Sequence, residues 1–286
     1  MSFAQTAILG GLAGFTIFLG LPLGRLQTLG SRARVALAMF SVGILAFIFV
    51  DVLSQGLAIL HDATDALSHD RGSAGRVIGL TLLLGAGFLL GSAGLGVLER
   101  RLRPAGPVKA PIAGGATAAV EAGEAAALAR EMEATRRRAL ALGVSISVAM
   151  GLHNLAEGLA IGVSARAGAV SLATVLIVGF ALHNATEGFG IVGPLGEVQP
   201  SWRWLTLVGL IGGGPTFLGT LLGYAVTSST LELAFYALAG GAILYVIGEV
   251  WQGMRRYGHR ELGLYLLVLG FMAGVVTDLV VTLGGG

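Results

Sequence analysis

The sequence predicts an all-α, polytopic membrane protein with eight transmembrane helices, and three observations carry that reading. Of its 286 residues, 55% are hydrophobic and only 12% charged, with a mean hydropathy of +0.83. Soluble domains carry about 25% charged residues. The 47 glycines fall inside apolar runs rather than in linkers, as they do in membrane helices, where small residues let backbones approach. The apolar runs have the length that crosses a bilayer as a helix, about 20 residues. They lack the alternating ten-residue segments of a β-barrel.

The spans are expected near 4–23, 33–57, 76–97, 139–163, 169–193, 203–226, 231–253 and 262–283. Ahead of the first, residues 1–6 have no basic stretch, so no cleavable signal is expected. The second and seventh spans each carry one acid, Asp51 and Glu249. The fourth and fifth each carry a His and a Glu. The sixth contains Gly212-Gly213-Gly214-Pro215, and the eighth ends near Asp278. These spans divide the chain into 1–97 (spans one to three), a loop at 98–138, 139–193 (spans four and five) and 194–286 (spans six to eight). Within the loop, 104–117 is rich in Pro, Gly and Ala and reads as a flexible linker. Residues 120–138 have helical composition and are expected to extend the fourth helix.

Basic residues set the orientation. Fifteen of the 18 Lys and Arg fall on the side of the first interspan loop, side A, among them Arg25, Arg34, Arg100, Arg136 and Arg256. Only Arg71, Arg76 and Arg166 fall on side B. The positive-inside rule makes side A cytoplasmic and places both termini outside. A miscounted span would scramble this split, so the split supports an even count. It also explains the pI of 9.3 as topology rather than affinity for nucleic acid, which is not an expected partner. Cysteine is absent, which excludes thiolate metal sites.

Two repeats organise the spans. His153-Asn154-Leu155-Ala156-Glu157-Gly158 recurs thirty residues later as His183-Asn184-Ala185-Thr186-Glu187-Gly188. A looser repeat relates 43–52 in span two to 241–250 in span seven. Each places an acid, Asp51 or Glu249, eight residues after a glycine. The two spans run in opposite directions, so this repeat is inverted, as in transporters whose halves rock about one site.

In each H-N-x-x-E-G motif, His and Glu are four residues apart and share a helix face. Two such helices together offer two imidazoles, two carboxylates and two amide oxygens to one point. That is a donor set for a borderline divalent ion. A charge at mid-membrane costs roughly 2.5–3.5 kcal/mol even on the lenient insertion scale. A bound dication or a proton removes most of that cost. A single intramembrane His would read equally well as a packing partner; the duplication is what favours a metal site. Asp51 and Glu249 read either as pathway residues or as interface residues near span ends. Asp278 reads as an interfacial cap. His61, Asp65 and His69, at four-residue spacing beyond span two, read as a solvated helix end or a cation-gathering cluster.

These motifs resemble the ZIP (Zrt-, Irt-like protein) family of divalent metal transporters, in its GufA-like bacterial branch. The resemblance implies eight helices in a 3+2+3 arrangement, a homodimer, and an elevator-like movement of spans one, four, five and six against the others. It implies a binuclear-type metal site held by His153, Asn154, Glu157, His183, Asn184 and Glu187. The sequence departs from the family pattern at four places. Ala156 and Thr186 replace prolines before the motif glutamates. Gly214 stands where span six often has a Glu, which would leave one well-held ion. Asp51 and Gln55 replace a His and Glu pair, and the loop at 98–138 has no His.

The expected function is therefore transport of Zn2+, or of Fe(II), Mn2+ or Cd2+, as substrate by alternating access across a bacterial inner membrane, with no enzymatic activity. An intramembrane zinc hydrolase using the same donors, with a glutamate as general base, is the alternative; no H-E-x-x-H occurs to support it. A metal-binding scaffold without flux is a third reading.

Overall fold

The computed structural model describes residues 1–26, 30–102, 117–168, 170–225 and 228–285. Among the described residues every regular element is a helix: α1 (Phe3–Phe15), α2 (Ile17–Gly20), α3 (Ser31–Ser68), α4 (Ala74–Leu102), α5 (Thr117–Arg166), α6 (Val170–Val192), α7 (Trp202–Ala225), α8 (Ser229–Arg255) and α9 (Arg260–Gly285). Short 3-10 turns follow α2 (Leu21–Arg25) and α6 (Gly193–Leu195). Seven stretches among the described residues are long and apolar enough to cross a membrane. The 23-residue α6, which holds the second motif, is the eighth helix of spanning length.

Three elements differ from expectation. Span one is broken, because the Thr16 hydroxyl donates to the carbonyls of both Ala13 and Ala181 and Pro22 then favours the 3-10 turn. Span two, α3, runs to Ser68, about three turns past the expected end. Ala63 packs there in a small cluster with Leu80 and Leu233, which anchors the extension. The expected extension of span four is present: α5 is 50 residues long, about 75 Å at 1.5 Å per residue. The linker expected at 104–117 falls almost wholly outside the described residues.

Hydrogen bonds gather the helix ends into two faces. On side A, Arg25, Arg34 and Arg256 donate to the carbonyls of Pro200, Gly196 and Pro194. On side B, Arg76 reaches Ser229, Arg166 reaches the Tyr224 carbonyl, and the Tyr224 hydroxyl donates to the Met1 carbonyl.

The inverted repeat extends beyond the two helices in which it was read. α3 packs parallel to α9: a Cβ on Gly43 would lie 2.0 Å from the Leu267 carbonyl, and one on Gly270 would lie 2.0 Å from the Phe40 carbonyl. α8 packs parallel to α4 in the same register. There Gly241 faces the Phe88 carbonyl at 2.4 Å and Gly91 faces the Leu238 carbonyl at 2.2 Å. In both pairs each glycine meets the carbonyl three residues before its partner glycine. The glycines are required because any side chain would push the backbones apart, and close backbone packing is the main attraction between helices in lipid. Counting eight residues on from each of the four glycines gives an acid every time: Asp51, Asp278, Glu249 and Glu99.

Candidate metal centre

α5 and α6 each place a complete motif in the middle of a spanning helix, and both motifs are anchored identically. Asn154 Nδ2 donates to the Gly212 carbonyl of α7 at 2.9 Å, and Asn184 Nδ2 donates to the Ala13 carbonyl of α1 at 3.2 Å. Four residues on, a Cβ at Gly158 would lie 2.0 Å from the Thr216 carbonyl, and one at Gly188 would lie 2.2 Å from the Ile17 carbonyl. Gly212 and Thr216 are themselves four residues apart, as are Ala13 and Ile17. The Asn and Gly of each motif thus grip one turn of a neighbouring helix and fix the rotation of their own. That rotation turns the His and Glu of both helices toward each other.

The four side chains meet. Glu157 Oε1 lies 3.0 Å from His153 Nε2 and 2.5 Å from His183 Nε2, bridging the two rings. Glu187 Oε1 lies 3.3 Å from His153 Nε2. The imidazole centroids are 6.2 Å apart. Among the described residues, His153, Glu157 and His183 are the one set of three His or acid residues whose donor atoms all fall within 4.8 Å of one another. His153, Asn154 and Asn184 are 0% exposed, Glu187 1% and Glu157 5%. Several buried oxygens have no hydrogen-bond partner: Asn154 Oδ1, Asn184 Oδ1, Glu157 Oε2 and both Glu187 carboxylate oxygens. Buried polar atoms are rarely left unpaired, so this concentration of bare oxygens fits a cation that supplies the missing partner. The imidazole and carboxylate donors suit zinc and its first-row neighbours.

The cluster opens toward side B. A cavity of about 560 Å³ runs between α3, α6 and α9 from Glu157 and His183 past Asp51 and Gln55 to Thr277, Asp278 and Thr282. No Lys or Arg lines it. Asp51 therefore shares a cavity with the cluster. Glu249 lines neither this cavity nor a second one that reaches Glu157; it lies toward side A. Asp278, read as an interfacial cap, is exposed near the end of α9 and also lines the same cavity as Asp51. The signal that could have found it is its position eight residues after Gly270, matching Gly43 and Asp51. Glu99 is found by the same count from Gly91. It is only 5% exposed and accepts a 3.0 Å hydrogen bond from the Tyr245 hydroxyl.

The remaining expectations resolve on packing. α7 is continuous through Pro215. Pro215 offers no N–H to the Ile211 carbonyl, which instead lies against Gly151 of α5, and the next carbonyl, that of Gly212, accepts from Asn154. The 212–215 stretch thus takes part in helix packing. A Cβ at Gly214 would meet nothing within 4 Å. His69 and Arg71 both lie near Asp65 on the exposed end of α3, at 3.4 and 3.6 Å, so that acid already faces an imidazole and a guanidinium of the chain itself.

Residues 119–247 match the family model described as ZIP Zinc transporter. The match runs from the start of α5 to within a turn of Glu249 and contains both H-N-x-x-E-G motifs. The resemblance read from those motifs holds over that stretch. No curated protein matches the chain.

Proposed function

We propose that this chain, whose residues 119–247 carry a ZIP zinc transporter domain, moves divalent transition-metal ions across a membrane by alternating access, with zinc the first substrate. One observation carries the reading: both motifs converge on a shared point, with unpartnered oxygens around it and an acid-lined cavity leading to one face. His153, Glu157 and His183 hold the ion, Glu187 assists through its approach to His153, and Asn154 and Asn184 present their amide oxygens. Iron(II), manganese and cadmium fit the same donors, since affinity in such sites follows geometry and availability more than donor type.

Alternating access is supported by the paired symmetry of the scaffold. Asp51 and Asp278 line the open cavity at side B. Their symmetry counterparts Glu249 and Glu99 lie toward side A, where Glu99 is buried under Tyr245. Exchanging the roles of the two halves would expose the second acid pair and close the first. In this reading side A is the cytoplasmic face of a bacterial inner membrane and the termini are outside, from the distribution of Arg and Lys. The homodimer remains part of the proposal; α4 and α9, whose apolar windows are each 17% buried in the chain, supply the faces for lipid or a second copy. The family match favours transport over hydrolysis.

The test is zinc uptake into proteoliposomes. The wild type should accumulate zinc down a gradient, and His153→Ala combined with Glu187→Ala should fall to the rate of empty vesicles. Equal rates for the two proteins would refute the assignment.

A further inference from the structure

A second cavity reaches the cluster, and the mechanism above does not use it. It occupies about 230 Å³ between α3, α5 and α8, on the opposite flank of α3 from the wide one. Glu157, Asp51 and Gln55 line both cavities. The distinct polar lining of the smaller one is Ser164 near the end of α5 and Glu232 and Tyr236 in the first two turns of α8. No Lys or Arg lines it.

We propose that this second cavity is an oxygen-lined vestibule through which a hydrated divalent cation reaches Glu157 from side B, with Glu232 at its mouth, in parallel with the wide route. This rests on the reading that the cluster receives a divalent cation. Four features on this flank carry it. The donors are two carboxylates, one amide and two hydroxyls besides Glu157, with no imidazole, which suits an ion that keeps its water shell. At about 30 Å³ per water, the volume holds roughly seven waters, enough for an ion with six. Glu157 is buried and its Oε2 has no partner, although its Oε1 is held by both histidines. The cavity is also lined by that carboxylate, so it reaches the cluster.

The vestibule should discriminate less between ions than the cluster does, because oxygen donors also suit manganese whereas imidazole favours zinc; selection would fall to the His and Glu cluster. This separates the two sites experimentally.

The chain has no cysteine, so a single introduced thiol reports its own surroundings. Ser164→Cys, reconstituted in liposomes, is treated with a membrane-impermeant methanethiosulfonate, with Ser73→Cys as the exposed reference on the same side. The Ser164→Cys thiol should react within about tenfold of the reference rate. Millimolar Mn2+ should slow it at least fivefold, and Glu232→Gln should abolish that protection. Ala160→Cys, on the same lining, serves if Ser164→Cys does not fold. A thiol that stays unlabelled, or labelling that Mn2+ leaves unchanged, overturns the vestibule. Zinc uptake by the wild-type protein in the same liposomes reports on the transport reading separately. Uptake without labelling would remove the vestibule and leave the transporter standing. Labelling with Glu232-dependent protection supports the vestibule even in a chain that shows no flux.

Discussion

Gly158 and Gly214 are both helical glycines in the same bundle, yet they answer to different constraints. Gly158 is pinned against a backbone carbonyl, while Gly214 faces open space. Overpacking a close helix contact costs about 1–3 kcal/mol. Gly158→Ala should therefore lower the thermal midpoint in detergent by several degrees, and Gly214→Ala should leave it within error. Asn154→Ala should also destabilise, because it strips the Gly212 carbonyl of its buried donor; such a loss is worth about 1–3 kcal/mol. His and Glu were legible as candidate ligands in the sequence because two titratable residues on one face of a membrane helix need an explanation. That Asn154 and Gly158 also act as clamps was only half legible. The glycine's role in close approach follows from its size, but the carbonyl it meets belongs to a helix more than fifty residues away.

The helices were legible from length and hydropathy, and their packing register was not. The inverted repeat read between spans two and seven was the visible half of a fourfold pattern. Its other members, Gly91 with Glu99 and Gly270 with Asp278, sit in helices whose intervening residues mostly differ. Coordinates reveal the equivalence because the contact is between backbones, which carry no sequence. The kink at Thr16 was hidden for a related reason: its partner carbonyl, that of Ala181, lies in α6. The pattern assigns the four acids to two stages. Asp51→Asn with Asp278→Asn, which line the cavity at side B, should raise KM for zinc uptake severalfold with kcat held. Glu249→Gln, on side A, should lower kcat with KM nearly unchanged. Initial rates over a range of zinc concentrations separate the two outcomes.

At the scale of the molecule, a buried pair of carboxylates and imidazoles needs a counter-charge, and the bundle provides little besides its own protons. Binding of an ion should therefore stabilise the whole fold. At a zinc concentration a hundred times Kd, linkage adds about 2.7 kcal/mol. The thermal midpoint should rise on adding zinc and fall back on adding a chelator. His153→Ala should show neither change. The overall architecture could be anticipated because hydropathy and the Arg and Lys bias act on the chain as a whole. The two cavities could not, because each is the space left between three helices that lie far apart in the sequence.

The most direct test of the central claim is a zinc-edge anomalous map from crystals grown or soaked with zinc. The account predicts a peak between α5 and α6 at about 2.0–2.2 Å from His153 Nε2, His183 Nε2 and a Glu157 oxygen. Ordered zinc elsewhere in the bundle with none at that point, or the four side chains turned away from one another around an empty space, would contradict it.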